Sequence, residues 1–193
     1  EAGDSFGSAP YVPYQRFEEL QTELADFEEI DGLMAQIGES VPAVNLRTSQ
    51  SEGSMRVAGV VPELLEGFGT FKLTSGEDVR LDDLLDDEAY INDKAADELE
   101  AVAGDELRLF IDGQTQTFKV KGVVEPGGLA GRGSTLILPL PRAQRVFERV
   151  GEINGIVVSN RGDVFEGAEL SKSVARRLRV LYTDRGVASQ LKG

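Results

Sequence analysis

The side chains that could act chemically in this sequence are carboxylates, lysines, tyrosines, serines and threonines, because it holds no histidine and no cysteine. That absence removes imidazole and thiolate metal sites, disulfides, thiol nucleophiles, and Ser-His-Asp or Cys-His catalysis. It does not fix the compartment. The densest carboxylate group is Asp82, Asp83, Asp86, Asp87 and Glu88. Hard cations want several oxygen ligands. This string lacks the glycine and the bidentate glutamate that an EF-hand places at fixed offsets, so it reads as a solvated loop or helix start. With 34 Asp and Glu among 193 residues, carboxylate pairs for acid/base hydrolysis can be drawn almost anywhere, and the pattern selects none.

Two further groups invite a functional reading. The stretch PGGLAGRGS, residues 126–134, has the glycines of a phosphate-cradling loop but not its Gly-Lys-Ser/Thr ending, and reads as a mobile connection. Arg176, Arg177 and Arg179 would meet anionic headgroups if their helix lay near a bilayer. Three basic residues fit ion pairing with an acidic helix, or plain solubility, better. The expectation is a non-enzyme without a cofactor or metal site.

The net charge of −14 and pI near 4.5 repel nucleic-acid phosphates, so nucleic acid is not an expected partner. The charge is uneven: residues 1–100 carry 24 Asp and Glu against 6 Lys and Arg, and residues 101–193 carry 10 against 14. The two halves should attract. A hydrophobic content of 40% supports a core, for one sizeable domain or two small ones. The chain opens at Glu1 with no apolar run of about 18 residues, and reads as an internal segment of a longer protein.

These groups must be carried by ordinary elements. Residues 1–10 read as a flexible entry. Phe17, Leu20, Leu24 and Phe27 recur at helical spacing, which predicts an acidic-faced amphipathic helix over residues 13–29. LMAQI, VPAVNL and MRVAGVV read as three short strands, the last closed by Pro62. After a loop-rich stretch, AYIN reads as a strand and DKAADELEAV as a helix capped by Asn92 or Asp93 and ended by Gly104. Alternating apolar residues on both sides of Asp112-Gly113 predict a β-hairpin. TLILPL is a strand, PRAQRVFERV a helix started by Pro141, and NGIVVSN a strand. A last helix runs from Asp163 to about Leu181, with Leu170, Val174, Leu178 and Leu181 on one face.

Several motifs, taken in order, resemble one family. They are Val57-Ala58-Gly59-Val60-Val61-Pro62, Leu73 to Gly76, Ala89-Tyr90-Ile91-Asn92 with Ala95-Ala96, and Gly104-Asp105-Glu106-Leu107. Then follow Phe118 to Val124, Leu138-Pro139-Leu140 with Ala143-Gln144, and Ile153 to Val158. Together they resemble the extracytoplasmic domain of FtsX-like, MacB-type ABC transporter permeases, over roughly residues 28 to 181. The family's Gly-Arg is replaced here by Ser75-Gly76-Glu77.

The resemblance implies an α+β fold: a porter-like β-α-β outer subdomain, residues 1–62 plus 141–193, with a smaller α/β subdomain inserted at 63–140. It implies a membrane-anchored domain on the periplasmic or extracellular side, with both ends returning to one membrane surface. Its implied partners are its own transmembrane helices, a separate cytoplasmic ATP-binding subunit, a second permease copy, and an extracytoplasmic protein or lipoprotein. The implied work is mechanical, transmitting ATP-driven motion. A free-standing secreted binding module is the alternative. Leu64, Leu65, Phe68 and Phe71 are the candidate partner contact, four large apolar residues around two glycines. The preference of Phe for burial favours packing inside the insert instead.

Overall fold

A computed structural model of the chain describes residues 10–25 and 30–160. The entry segment before Pro10, Phe27, the predicted helix from Asp163, the arginine cluster at 176–179 and both chain ends lie outside the described residues.

The chain enters through a short strand β1 (Val12–Pro13) and helix α1 (Gln15–Leu24), whose Phe17, Leu20 and Leu24 are buried as their spacing predicts. Strand β2 (Ile30–Asn45) follows and turns into β3 (Ser51–Val60). The two short strands expected in β2 are one 16-residue strand. Gly38 stays in the ladder, and Pro42, which has no N–H to donate, falls where the register shifts between Val41 and Ala43. Then come β4 (Glu88–Asn92), α2 (Asp93–Leu99), β5 (Glu106–Ile111) and β6 (Gln114–Val124). β7 (Thr135–Pro139), α3 (Leu140–Val146), β8 (Glu152–Ile153) and β9 (Gly155–Asn160) complete a mixed α+β fold. α2 ends on Glu100 in the left-handed region, φ 46°, rather than on Gly104.

The main sheet runs in the order β3, β7, β4, β6, β5, β2, and β2 pairs again with β3, so six strands close into a ring. Long β2 makes this closure possible. Gln36 is paired with both Val60 of β3 and Gly155 of β9, and Ala43 with both Glu52 of β3 and Leu109 of β5. β3 therefore covers one edge of β2, while β9 and β5 share the other in succession. β8 pairs with β1 in a separate two-stranded sheet.

The largest hydrophobic cluster draws residues from all six ring strands and from α2, including Val41, Met55, Ile91, Leu99, Leu109, Phe118 and Leu136. A second, around Met34, Val60, Tyr90 and Ile137, is covered by the 62–84 segment and by Leu129 and Ala130. A third joins Phe17 of α1 to Ala35, Ile37, Leu140, Ala143 and Ile153. Here α3 lies so close to β3 that a Cβ at Gly59 would sit 2.2 Å from the Ala143 Cβ. The boundaries expected at 62/63 and 140/141 fall at the ends of β3 and β7, which are paired in parallel over five residues. The same cluster holds Met55 and Val57 on one side of that division and Leu136 and Leu138 on the other.

Candidate functional site

The four residues singled out as a partner contact begin in a 3-10 turn over Pro62–Phe68, opened by a proline that needs no donor there. Leu65 and Phe71 are buried, and Leu64 and Phe68 are half-buried against the second cluster. The segment is thus brought together as a wall of the core, with its remaining exposure on Leu64 and Phe68. Phe68 and Phe71 border a cleft of about 220 Å³ closed on its other side by residues 125–129. Val61, Pro62 and Glu63 line a second one, of about 390 Å³, against Tyr14, Leu140 and Pro141.

The acidic string is dispersed by the fold. Glu88 is buried, accepts from the Leu85 N–H at 3.0 Å and is reached by Lys121 Nζ at 3.1 Å. The Leu85 N–H bond, with Lys121, holds its carboxyl below the usual range. Asp86 projects into solvent, where Arg142 and Arg145 reach it at 3.0 and 3.5 Å. Among the described residues no group of three or more ligand-type side chains is placed to hold a metal.

Two buried polar hubs left no trace in the sequence beyond the capping role of Asn92. Asn92 makes four hydrogen bonds: its Oδ1 accepts from the N–H of Ala95 at 3.0 Å and of Thr135 at 3.0 Å, and its Nδ2 donates to the carbonyls of Ala130 at 3.1 Å and Gly133 at 2.7 Å. One side chain thereby caps α2 and fastens the glycine loop. Arg142 of α3 is its counterpart across the boundary, donating to the carbonyls of Leu84, Leu85 and Glu88. A third network binds the β2–β3 turn to the start of β5. There Arg47 grips Asp105 at 2.6 and 2.8 Å, and Asn45 Nδ2 reaches the same carboxylate at 3.0 Å.

The arrangement of greatest functional interest joins β1 to the segment around β8. Val12 pairs with Ile153, Pro13 with Glu152, and the Tyr14 N–H donates to the Gly151 carbonyl at 2.7 Å. The Tyr11 hydroxyl donates to Glu39 Oε1 at 2.8 Å, and Arg149 lies over the Tyr11 ring at 4.6 Å. Asn154 exchanges two bonds with the Gly38 backbone and donates to Glu39 as well. Burial, then Glu39, pushes the Tyr11 phenol far above its ordinary pKa, so it stays a donor. None of this was legible in the sequence, because partners such as Gly38 and Asn154 are 116 residues apart.

What this assembly does is hold two chain segments to one strand. The description "MacB-like periplasmic core domain" matches residues 2–178. The chain belongs to that family. Curated proteins show no match. Among solved structures, the periplasmic region of MacB from Actinobacillus actinomycetemcomitans is similar at 19% identity and TM-score 0.53, over 86% of this chain and 74% of that one. The extracellular domain of the ABC-type transporter YknZ from Gram-positive bacteria is similar at 15% identity and TM-score 0.57, over 92% and 86%. At such identities the likeness is one of fold. This MacB-like domain is an extracytoplasmic domain of an ABC transporter permease by family. No helix among its described residues is long and apolar enough to cross a membrane.

Proposed function

We propose that this MacB-like domain is a non-enzymatic transmitter, which receives ATP-driven movement of the permease's transmembrane helices and passes it to an extracytoplasmic protein, lipoprotein or substrate. The observation that carries the reading is the junction of β1 with β8. β1 and β8 are paired to each other, and the segments that carry them are fastened to β2 through Glu39 and Gly38. β2 is the strand that closes the ring, so a displacement of the junction reaches the whole sheet along one continuous strand. The family supports this placement on the outer side of the cell membrane. The nucleotide would act at a separate cytoplasmic subunit, with a second permease copy completing the assembly.

In this reading residues 1–62 with 141–193 form the membrane-facing part and residues 63–140 the inserted part. Leu64 and Phe68 are then the members of the apolar wall available to a partner. The test uses the full-length permease with its ATP-binding subunit. Combining Tyr11→Phe with Arg149→Gln loosens the junction. It is expected to leave ATP hydrolysis in place and to lower transport or release, an uncoupled phenotype. Unchanged transport would speak against the reading.

A further inference from the structure

Arg56 on β3 differs from two other arginines of the described residues, exposed Arg47 and buried Arg142. Arg47 has Asp105 and Arg142 has Asp86, whereas half-buried Arg56 meets no carboxylate there. Among the described residues a single one of its five N–H groups is accepted, by Gln36 Oε1, 3.0 Å from Nη2. Its Nε and Nη1 are not among the buried, unpaired polar atoms of the described residues, so neither is fully sealed from solvent. The guanidinium is flanked by glycines. A Cβ at Gly38 would lie 3.5 Å from both Nε and Nη2, and a Cβ at Gly131 3.6 Å from Nη1. Glycine at position 38 leaves that flank of the guanidinium free of a side chain that would otherwise contact it. Burial without a counter-charge also holds the Arg56 pKa below its ordinary value.

We propose that Arg56, with Gln36 and the bare flanks of Gly38 and Gly131, is an anion site that takes one carboxylate from a protein partner, an acidic side chain or a chain end. The planar fork matches a carboxylate in two parallel bonds, and a partly desolvated guanidinium gains from such a pair what it has lost from water. One positive charge offsets one negative charge. A doubly charged phosphate or an anionic membrane would bring excess negative charge to a chain whose net charge is already −14. The site lies where β3 and β7 run in parallel, beside the glycine loop that Asn92 fastens, so occupancy would bridge β2, β3 and that loop. Only the identification of the occupant as a protein partner rests on the transmitter reading; the site itself does not.

The experiment is an NMR titration of the 193-residue chain with acetate and N-acetylglycine against chloride at matched ionic strength, with inorganic phosphate as a further arm. Both carboxylates are expected to move the Gly38 and Gly131 amides and the Arg56 Nε–H saturably. Arg56→Gln abolishes the amide shifts and Arg132→Gln leaves them. Gln36→Glu places a carboxylate beside Arg56 from within, and should raise Tm while abolishing the acetate response even if Arg56→Gln folds poorly. Absence of saturable shifts, or shifts that survive Gln36→Glu, would overturn the site. Phosphate binding tighter than acetate would overturn its assignment to a protein carboxylate and point to a phosphate group. A negative result here leaves the transmitter reading standing, because that is read from transport in the full permease.

Discussion

The Tyr11 hydroxyl donates to Glu39 Oε1 at 2.8 Å, and the Asn154 amide donates to the same oxygen at 2.9 Å. One carboxylate oxygen thus joins the segment before β1, the middle of β2 and the residue between β8 and β9. Tyr11→Phe removes one donor to a carboxylate and is expected to cost about 1.5–3 kcal/mol. Glu39→Ala leaves two donors without their acceptor and should cost more. Urea denaturation of both variants checks this order, and equal, negligible losses would mean that the junction is not fastened there.

Asn92 is wholly buried and satisfied on all four sides. Asn92→Ala loses the cap of α2 and orphans buried groups of the glycine loop, for an expected loss of about 2–4 kcal/mol. Asn92→Asp keeps both accepted bonds but turns an oxygen on the carbonyls of Ala130 and Gly133. It should therefore be destabilising too, although a plain N-cap would tolerate it. Thermal melts distinguish a hub from a cap.

Acid should weaken the fold through specific carboxylates. Lys94, followed by Ser134 and Glu52, holds the Glu98 carboxyl down to about 2 from an ordinary 4.5. Arg47 holds Asp105 well below the usual carboxylate range. Each stays ionised in the fold at pH values where the unfolded chain takes up a proton. Their stabilisation is therefore complete above the unfolded pKa and is lost as pH falls toward the folded one. Tm should fall between about pH 4.5 and 2, and Glu98→Gln should make that fall shallower. An unchanged slope would remove Glu98 from the account.

Phe71 and Phe68 separate packing from contact. Phe71 is buried, and Phe71→Ala should cost about 3–5 kcal/mol as core truncations do. Half-buried Phe68 should cost less when truncated. If Phe68 also touches a partner, Phe68→Ala lowers transport by the full permease beyond what its small Tm change explains. Unaltered transport would end the contact proposal.

Local rules carried several elements from sequence to structure. Asp112 and Gly113 adopt φ values of 46° and 80°, both positive as a type I′ turn demands, and the hairpin they join forms as its alternation predicts. Phe17, Leu20 and Leu24 bury the face that their spacing marks. What stayed hidden depends on distant pairing. Gly38-Glu39-Ser40 and Pro42 look like strand breakers, yet β2 passes through them because β3 lies along it and a register shift absorbs the proline. The closure of the ring by β2 and β3, the partners of Asn92 beyond its own helix, and the lack of a carboxylate at Arg56 among the described residues leave no mark in any short window.

The central claim is that the domain carries movement generated elsewhere. Because its sequence is free of cysteine, spin labels can be placed singly at exposed Gln114, on the hairpin, and Thr22, on α1. A third label on a transmembrane helix of the full-length permease completes the set. Pulsed electron–electron resonance with and without ATP then reads both separations. The account predicts that ATP shifts the distance from Gln114 to the membrane helix while the distance from Gln114 to Thr22 holds. Domain-to-membrane distances that ignore the nucleotide would contradict it.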